Sequence, residues 1–245
     1  MSLEPILARI RSLSEALAAV PVPEGVAHVQ DPLQYAWAGH EAYWRMAGGH
    51  PRGVVWLGMN PGPFGMAQTG VPFGAVPMVR DWMGLRFEVD HPEPGHPARP
   101  VEGLRCRRAE VSGMRLWGAI ARNHPDPEGF FARHMVLNYC PLLYLEAGGR
   151  NLTPDRLGRV DRERMQALCD AALGDVLSWL DPHWVLGVGK YARQRLDLVR
   201  DRTGARWQVA ECLHPSPASP AANRGWEGQV REQWRVQGLP GPCPV

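Results

Sequence analysis

Residues Gly58-Met59-Asn60-Pro61-Gly62-Pro63-Phe64-Gly65 follow directly on the apolar run Val54-Val55-Trp56-Leu57, and the same loop runs on through Val71-Pro72-Phe73-Gly74. Five glycines and three prolines within residues 58–74 describe a turn shaped for close approach to a ligand, because glycine has no Cβ and tolerates positive φ. Near the other end, His214-Pro215-Ser216-Pro217-Ala218-Ser219-Pro220 follows the strand-like run Trp207, Val209, Cys212. There a single imidazole sits on a turn stiffened by proline. The pattern predicts two such loops facing each other across one cleft.

Other constellations offer less. Gly187-Val188-Gly189-Lys190 resembles part of a phosphate loop, but that motif needs glycine where Trp184 stands and Ser or Thr where Tyr191 stands. What remains is a strand-to-helix turn, either purely structural or offering Gly189 and Lys190 to a nucleic-acid phosphate. His124 and His134 lack the i, i+4 spacing of a helical metal pair, so no metal is expected. No Gly-x-Ser-x-Gly elbow is present. The five cysteines are widely spaced without a Cys-x-x-Cys, which points to buried free thiols rather than a disulfide framework or a metal cluster. No cofactor is expected.

These loops need a scaffold. The 245 residues, 44% hydrophobic, can bury one sizeable core, and a single domain over 1–245 is expected. The longest candidate linker, residues 91–100, reads as a surface excursion. No basic leader and no run near 18 apolar residues is seen, so a soluble intracellular protein without membrane attachment is expected. It would be cytoplasmic, at the nucleoid, in a bacterium, and nuclear in a eukaryote. Net charge is +2 and Lys190 is the sole lysine among 27 basic residues. Arg105, Arg107 and Arg108, with Arg115 further on, form the best candidate for a phosphate-facing patch.

Short apolar runs at Val54–Leu57, Met135–Tyr139, Trp184–Val188 and Arg206–Cys212 read as buried strands. Helical patterns cover 3–20, 35–47, 165–180, 191–199 and 221–236, with Thr153-Pro154 as cap and first-turn proline for the third. Such alternation implies a three-layer α/β/α sandwich around a mainly parallel four-stranded sheet. Ligands bind such sheets beyond the carboxyl ends of the strands. That rule brings the glycine-rich loop, Asn138-Tyr139-Cys140-Pro141, Gly187–Lys190 and His214 to one edge.

Gly58-Met59-Asn60-Pro61-Gly62 through Val71-Pro72-Phe73-Gly74, Asn138-Tyr139-Cys140-Pro141-Leu142, Gly149-Arg150-Asn151-Leu152-Thr153-Pro154 and His214-Pro215-Ser216-Pro217 with Ala222-Asn223-Arg224-Gly225-Trp226 closely resemble the single-strand-selective monofunctional uracil-DNA glycosylases. The likeness runs from about 31 to 239, and Glu110-Val111-Ser112-Gly113 with Arg115 and Trp117 falls inside it. It implies base excision repair on single-stranded or damaged duplex DNA: a uracil, or a 5-modified uracil such as 5-hydroxymethyluracil, is flipped out. Water then hydrolyses its N-glycosidic bond without metal or covalent lysine, leaving an abasic site, and no obligate protein partner is inferred.

The resemblance assigns Asn60 to positioning the water, His214 to uracil O2, Asn138 to the uracil edge and Phe73 to stacking, with Met59 and Gly62 in the same pocket. Ser216, Pro217, Ser219, Arg224, Gly189, Lys190, Arg107 and Arg108 are expected on the DNA side. Chemistry independently favours the first roles, since an imidazole N–H stabilises charge developing on the leaving base and an amide orients water without being a base. Where relatives often carry a long basic wedge, this chain has Ala218. Gly62 stands where uracil-specific relatives have tyrosine, and is expected to leave a water-sized void beside C5. The rival reading is a non-catalytic single-stranded nucleic-acid-binding base sensor.

Overall fold

A computed structural model describes residues 2–48 and 53–245. The strands are β1 (His28–Gln30), β2 (Val54–Gly58), β3 (His134–Asn138), β4 (Leu143–Leu145), β5 (Trp184–Val188) and β6 (Gln208–Cys212). The helices are α1 (Glu4–Ala18), α2 (Pro32–Tyr35), α3 (Trp37–Met46), α4 (Met66–Thr69), α5 (Val111–Asn123), α6 (Pro127–Phe131), α7 (Arg159–Leu180), α8 (Lys190–Thr203), α9 (Pro220–Asn223) and α10 (Trp226–Val236).

Four strands form a wholly parallel sheet in the order β3-β2-β5-β6. All five residues of β2 are buried, as a central strand covered on both faces requires, and that is why its sequence is an unbroken apolar run. Trp234 of α10 stacks on Trp56 over one face, with centroids 5.7 Å apart. On the other, a Cβ at Gly187 would run into the backbone of Arg193 in α8, so glycine lets that helix close onto the sheet. Tyr139, just past β3, donates to Asp170 of α7 at 2.7 Å on this second side. The layers are those of an α/β/α sandwich, and one apolar cluster runs through them from Ile6 to Val245.

Several boundaries differ from the sequence pattern for local reasons. The predicted helix over 35–47 is α3, which starts two residues late at Trp37, because Tyr35 ends the separate short α2 that Asp31 caps by accepting from the Leu33 N–H at 2.9 Å. Thr153-Pro154 starts a separate short 3₁₀ turn, Pro154–Arg156, and the Thr153 side chain caps nothing. The helix behind it, α7, begins only at Arg159. The predicted 221–236 helix is interrupted at Gly225, where φ is +111°, a value that L side chains rarely adopt. The antiparallel β1–β4 ribbon, α5 and the short helices α4 and α6 have no counterpart in the pattern. Gly113 and Gly118 weaken the helical signature of α5, yet a Cβ at Gly113 would collide with the Phe73 carbonyl. Among the described residues no helix is long and apolar enough to cross a membrane.

Candidate active site

The loop after β2 is pinned to the turn after β3. The Gly58 carbonyl accepts from the Tyr139 N–H at 3.0 Å and the Met59 carbonyl from the Cys140 N–H at 2.9 Å. Buried Gln68 of α4 ties the loop to its surroundings, donating to the Pro63 and Pro100 carbonyls at 2.8 and 3.0 Å and accepting from the Glu102 N–H at 2.7 Å. Asn60, at the bend, turns its amide nitrogen towards three oxygens, Pro61 O, Leu142 O and Asn151 Oδ1, each at 3.4 Å. Two of these are backbone carbonyls and can only accept, so the nitrogen must face them. Among the described residues nothing donates to Asn60 Oδ1, which is thereby left as a free acceptor. Asn151 in turn donates to Pro61 O at 3.3 Å; it arrives there because the chain doubles back after β4, with Leu152 N–H on Tyr144 O at 2.8 Å.

Phe73 is held at φ +54°, a left-handed conformation that costs a non-glycine residue on the order of 1 kcal/mol. Its neighbours enforce it: Pro72 O accepts from the Trp117 indole at 3.0 Å, and Gly113 lets α5 lie against the Phe73 carbonyl. The Phe73 ring and Asn138 Oδ1 both crowd the position a Cβ of Gly58 would take. Glycine at 58 is therefore what allows ring and amide to meet. Asn138 donates from Nδ2 to Met66 Sδ at 3.2 Å, and its buried Oδ1 has no partner.

His214 follows β6. The Ser216 N–H donates to its Nδ1 at 3.0 Å, so Nδ1 is the acceptor and the proton of the neutral ring resides on Nε2. Burial lowers its pKa to about 4, which keeps the ring neutral near pH 7. The Phe73 and His214 rings lie 5.9 Å apart. Gly189, at φ +91°, packs against His214, and a Cβ there would come within 3.2 Å of it. Arg115 of α5 braces the His214 turn from outside, donating to the Pro215 and Ser216 carbonyls at 3.1 and 3.3 Å and to Asn223 Oδ1 at 2.7 Å.

Met59, Asn60, Gly62, Phe73, His214, Ser216, Pro217 and Ser219 line one cleft of about 520 Å³, with Glu110, Ser112, Asn151 and Ala218. Asn138 does not line it; with Met66, Pro72 and Tyr139 it borders a separate small cavity of about 60 Å³. A larger hollow, about 1310 Å³, lies at the opposite end of the sheet around Gly53, His134, Trp184 and Gln208; it holds none of these residues.

Three expectations change. Arg115 does not face solvent phosphate, since its guanidinium is taken up by the His214 turn. Gly189 does not offer its N–H, which donates to Cys212 O at 2.8 Å. Nor does the missing side chain of Gly62 leave its place empty: a Cβ there would lie 2.5–2.9 Å from the carboxyl atoms of Glu110, with both residues bordering the cleft. Ser216 and Ser219 build the loop, Ser216 Oγ accepting from Ala218 N–H at 3.1 Å and Ser219 Oγ from Ala222 N–H at 3.3 Å. Lys190 and Arg224 are exposed, and neither lines the cleft. Arg107 and Arg108 are exposed beside Arg80 and Arg105 around a separate hollow of about 650 Å³, and Arg108 stacks on Phe64 at 4.1 Å. Asn151 and Glu110 carry no role in the sequence pattern, and Arg115 carries a different one, because each acts on a partner distant in the chain.

No family model matches the chain. The single-strand selective monofunctional uracil-DNA glycosylase of Rattus norvegicus is 46% identical over 227 residues, covering 93% of this chain and 82% of its own. Those of Bos taurus and Mus musculus are 46% and 45% identical over the same length, with 84% and 81% of their own chains covered. The crystal structure of wild-type Pedobacter heparinus SMUG2 superposes with a TM-score of 0.68 at 13% identity, covering 96% of this chain and 97% of that one, a likeness of fold alone. With nearly half its residues shared along nearly all of its length, this chain belongs to the single-strand selective monofunctional uracil-DNA glycosylases.

Proposed function

We propose that the protein excises uracil and 5-modified uracils from DNA as a monofunctional glycosylase, hydrolysing the N-glycosidic bond with water and leaving an abasic site. The observation that carries this reading is the opposite preparation of two side chains in one cleft. Asn60 presents a bare acceptor, and His214 presents a donor on Nε2.

Bond breaking leaves negative charge on the departing uracil, much of it at O2. A neutral imidazole N–H fixed there binds the departing anion more strongly than the ground-state carbonyl, which is what lowers a barrier. Asn60 Oδ1 accepts a hydrogen bond from the attacking water and aims its lone pair at the sugar; orientation, rather than basicity, is the contribution. Phe73 supplies the flat wall that an extruded base stacks on. Asn138 reads the edge once the entering base opens the wall between the cleft and its side chain: uracil N3–H donates to Oδ1, which is buried and unpartnered among the described residues, while O4 accepts from Nδ2 in place of the weak thioether contact. Cytosine has no proton on N3, so Oδ1 would stay orphaned, at a cost of about 1–3 kcal/mol.

Oligonucleotides carrying one uracil, single-stranded or paired, test this reading when abasic product is measured by alkaline cleavage. The expected result is an abasic site at the uracil alone, with free base released. Tight binding without any abasic product would leave the base-sensor reading in its place.

A further inference from the structure

Resting on that reading of the pocket, we propose that the Glu110 carboxyl reads the substituent at uracil C5. With N3–H and O4 towards Asn138 and O2 towards His214, the remaining edge of the ring is C5–C6. Apart from Phe73 and the His214 loop, the cleft is lined by the Met59–Pro63 segment, Glu110, Ser112, Asn151 and Thr153, and of these only Glu110 carries an ionisable side chain. The carboxyl occupies the place a side chain at 62 would take, its oxygens 2.5 and 2.9 Å from the missing Cβ. Gly65 gives it room from the other side, where a Cβ would come within 2.8 Å of Glu110 Cγ. So the two glycines of Gly62-Pro63-Phe64-Gly65 accommodate one acidic side chain rather than an open gap.

Glu110 is nonetheless poorly satisfied. The carboxyl's one hydrogen bond among the described residues is a long one, from the Phe64 N–H at 3.4 Å, and burial raises its pKa. A half-buried carboxyl with free lone pairs favours a ligand group that can hydrogen-bond to it. The O–H of a 5-hydroxymethyl group can donate to a carboxylate oxygen. A bare methyl cannot, and would strip water from the carboxyl without replacing its hydrogen bonds. The class selected is therefore 5-substituted uracils bearing a hydrogen-bonding group, with thymine disfavoured by polarity rather than by a steric wall.

Glu110→Leu keeps the bulk and removes the polarity. Single-turnover rates on single-stranded DNA carrying uracil, 5-hydroxymethyluracil or thymine are compared within each preparation, so that the folded fraction cancels from every ratio. The expected result is a fall of at least about tenfold in the hydroxymethyluracil-to-uracil ratio, with a rise in the thymine-to-uracil ratio. Glu110→Gln, which retains an acceptor, should keep the first ratio within about threefold of the parent. If Leu is not tolerated at this site, Glu110→Ala should lower the same ratio. An unchanged ratio in Leu and Ala, while the parent cleaves both bases, overturns the role of Glu110 alone. A parent that releases uracil but not hydroxymethyluracil overturns it together with the 5-modified part of the functional reading. A parent that releases neither base overturns the glycosylase reading itself.

Discussion

The loop after β2 and the loop after β6 solve opposite problems with the same economy of means. In the first, three acceptors surround an amide nitrogen, so that an oxygen is left facing the cleft. In the second, a backbone donor occupies one ring nitrogen, so that an N–H is left facing it. Both side chains are ambiguous by themselves: an amide can turn over, and an imidazole has two tautomers. Each ambiguity is removed by groups that are not themselves reactive. In the proposed mechanism the polarity is thus set by groups behind the reacting ones, the Pro61 and Leu142 carbonyls for the first loop and the Ser216 N–H for the second.

The comparison breaks most sharply at His214. Replacing it with alanine removes the sole donor the second loop prepares, and loss of one such donor typically costs about 10²- to 10³-fold in rate. Single-turnover uracil excision should fall by that amount while damaged-DNA affinity persists. An unchanged rate would mean that the leaving base is stabilised elsewhere.

Gly58→Ala attacks the platform between the loops. Its Cβ would collide with both Asn138 Oδ1 and the Phe73 ring, and overpacking of this kind costs about 1–3 kcal/mol. Expressed in the bound state, that corresponds to a loss of about 10- to 100-fold in kcat/KM for uracil, larger than any change in thermal stability accounts for. Equal kcat/KM in the variant would show that ring and amide need not meet.

Asn151→Leu sharpens the comparison on the side of Asn60. Two carbonyls still hold the amide nitrogen, so the expected loss is about fivefold, the value of a single hydrogen bond of roughly 1 kcal/mol. It should fall on kcat with KM nearly unchanged, because orientation of water matters only once the base is bound. A rise in KM alone would make Asn151 a binding residue instead.

How much of this was legible in the sequence depends on the length scale of each interaction. The β2 strand announces itself because burial on both faces demands a continuous apolar run, and the glycines and prolines after it are visible as composition. Asn60 and His214 stand inside those loops, and the structure brings both to one cleft. Asn151 is not, since its value lies in an oxygen 91 positions from the amide it holds. Glu110 is hidden for the same reason: a glycine at 62 is visible, whereas the carboxyl filling its gap comes from a distant segment. Arg115 shows the limit most plainly, because guanidinium donors suit a phosphate and a backbone carbonyl equally well, and only the fold decides between them.

Arg107 and Arg108 test that distinction between arginines. Affinity for single-stranded DNA should fall with salt at a log-log slope of about −0.7 for each phosphate contact, and reversing both charges should flatten the slope by about one contact or more. Arg115→Met should leave the slope alone and slow excision instead, because its donors brace the His214 turn. A slope unaltered by the double reversal would place the DNA track on another surface.

The smallest effect expected is an absence of titration. Burial and the Ser216 N–H keep His214 neutral, with its pKa lowered to about 4, so the rate should be flat as pH falls from 8 to 5. Stability should behave differently over part of the same range. His40 and His134 are also lowered to about 4 by burial, against an unfolded value of about 6.5. Between those values the unfolded chain binds more protons than the folded one, so stability must decline as pH falls from about 6.5 towards 4. Denaturant midpoints and single-turnover rates measured side by side should then separate, the midpoints dropping below pH 6.5 while the rate of the folded enzyme holds. An acid limb in the rate with a midpoint near 6.5 would show that His214 titrates normally and that its neutral, Nε2-protonated form is not what the cleft prepares.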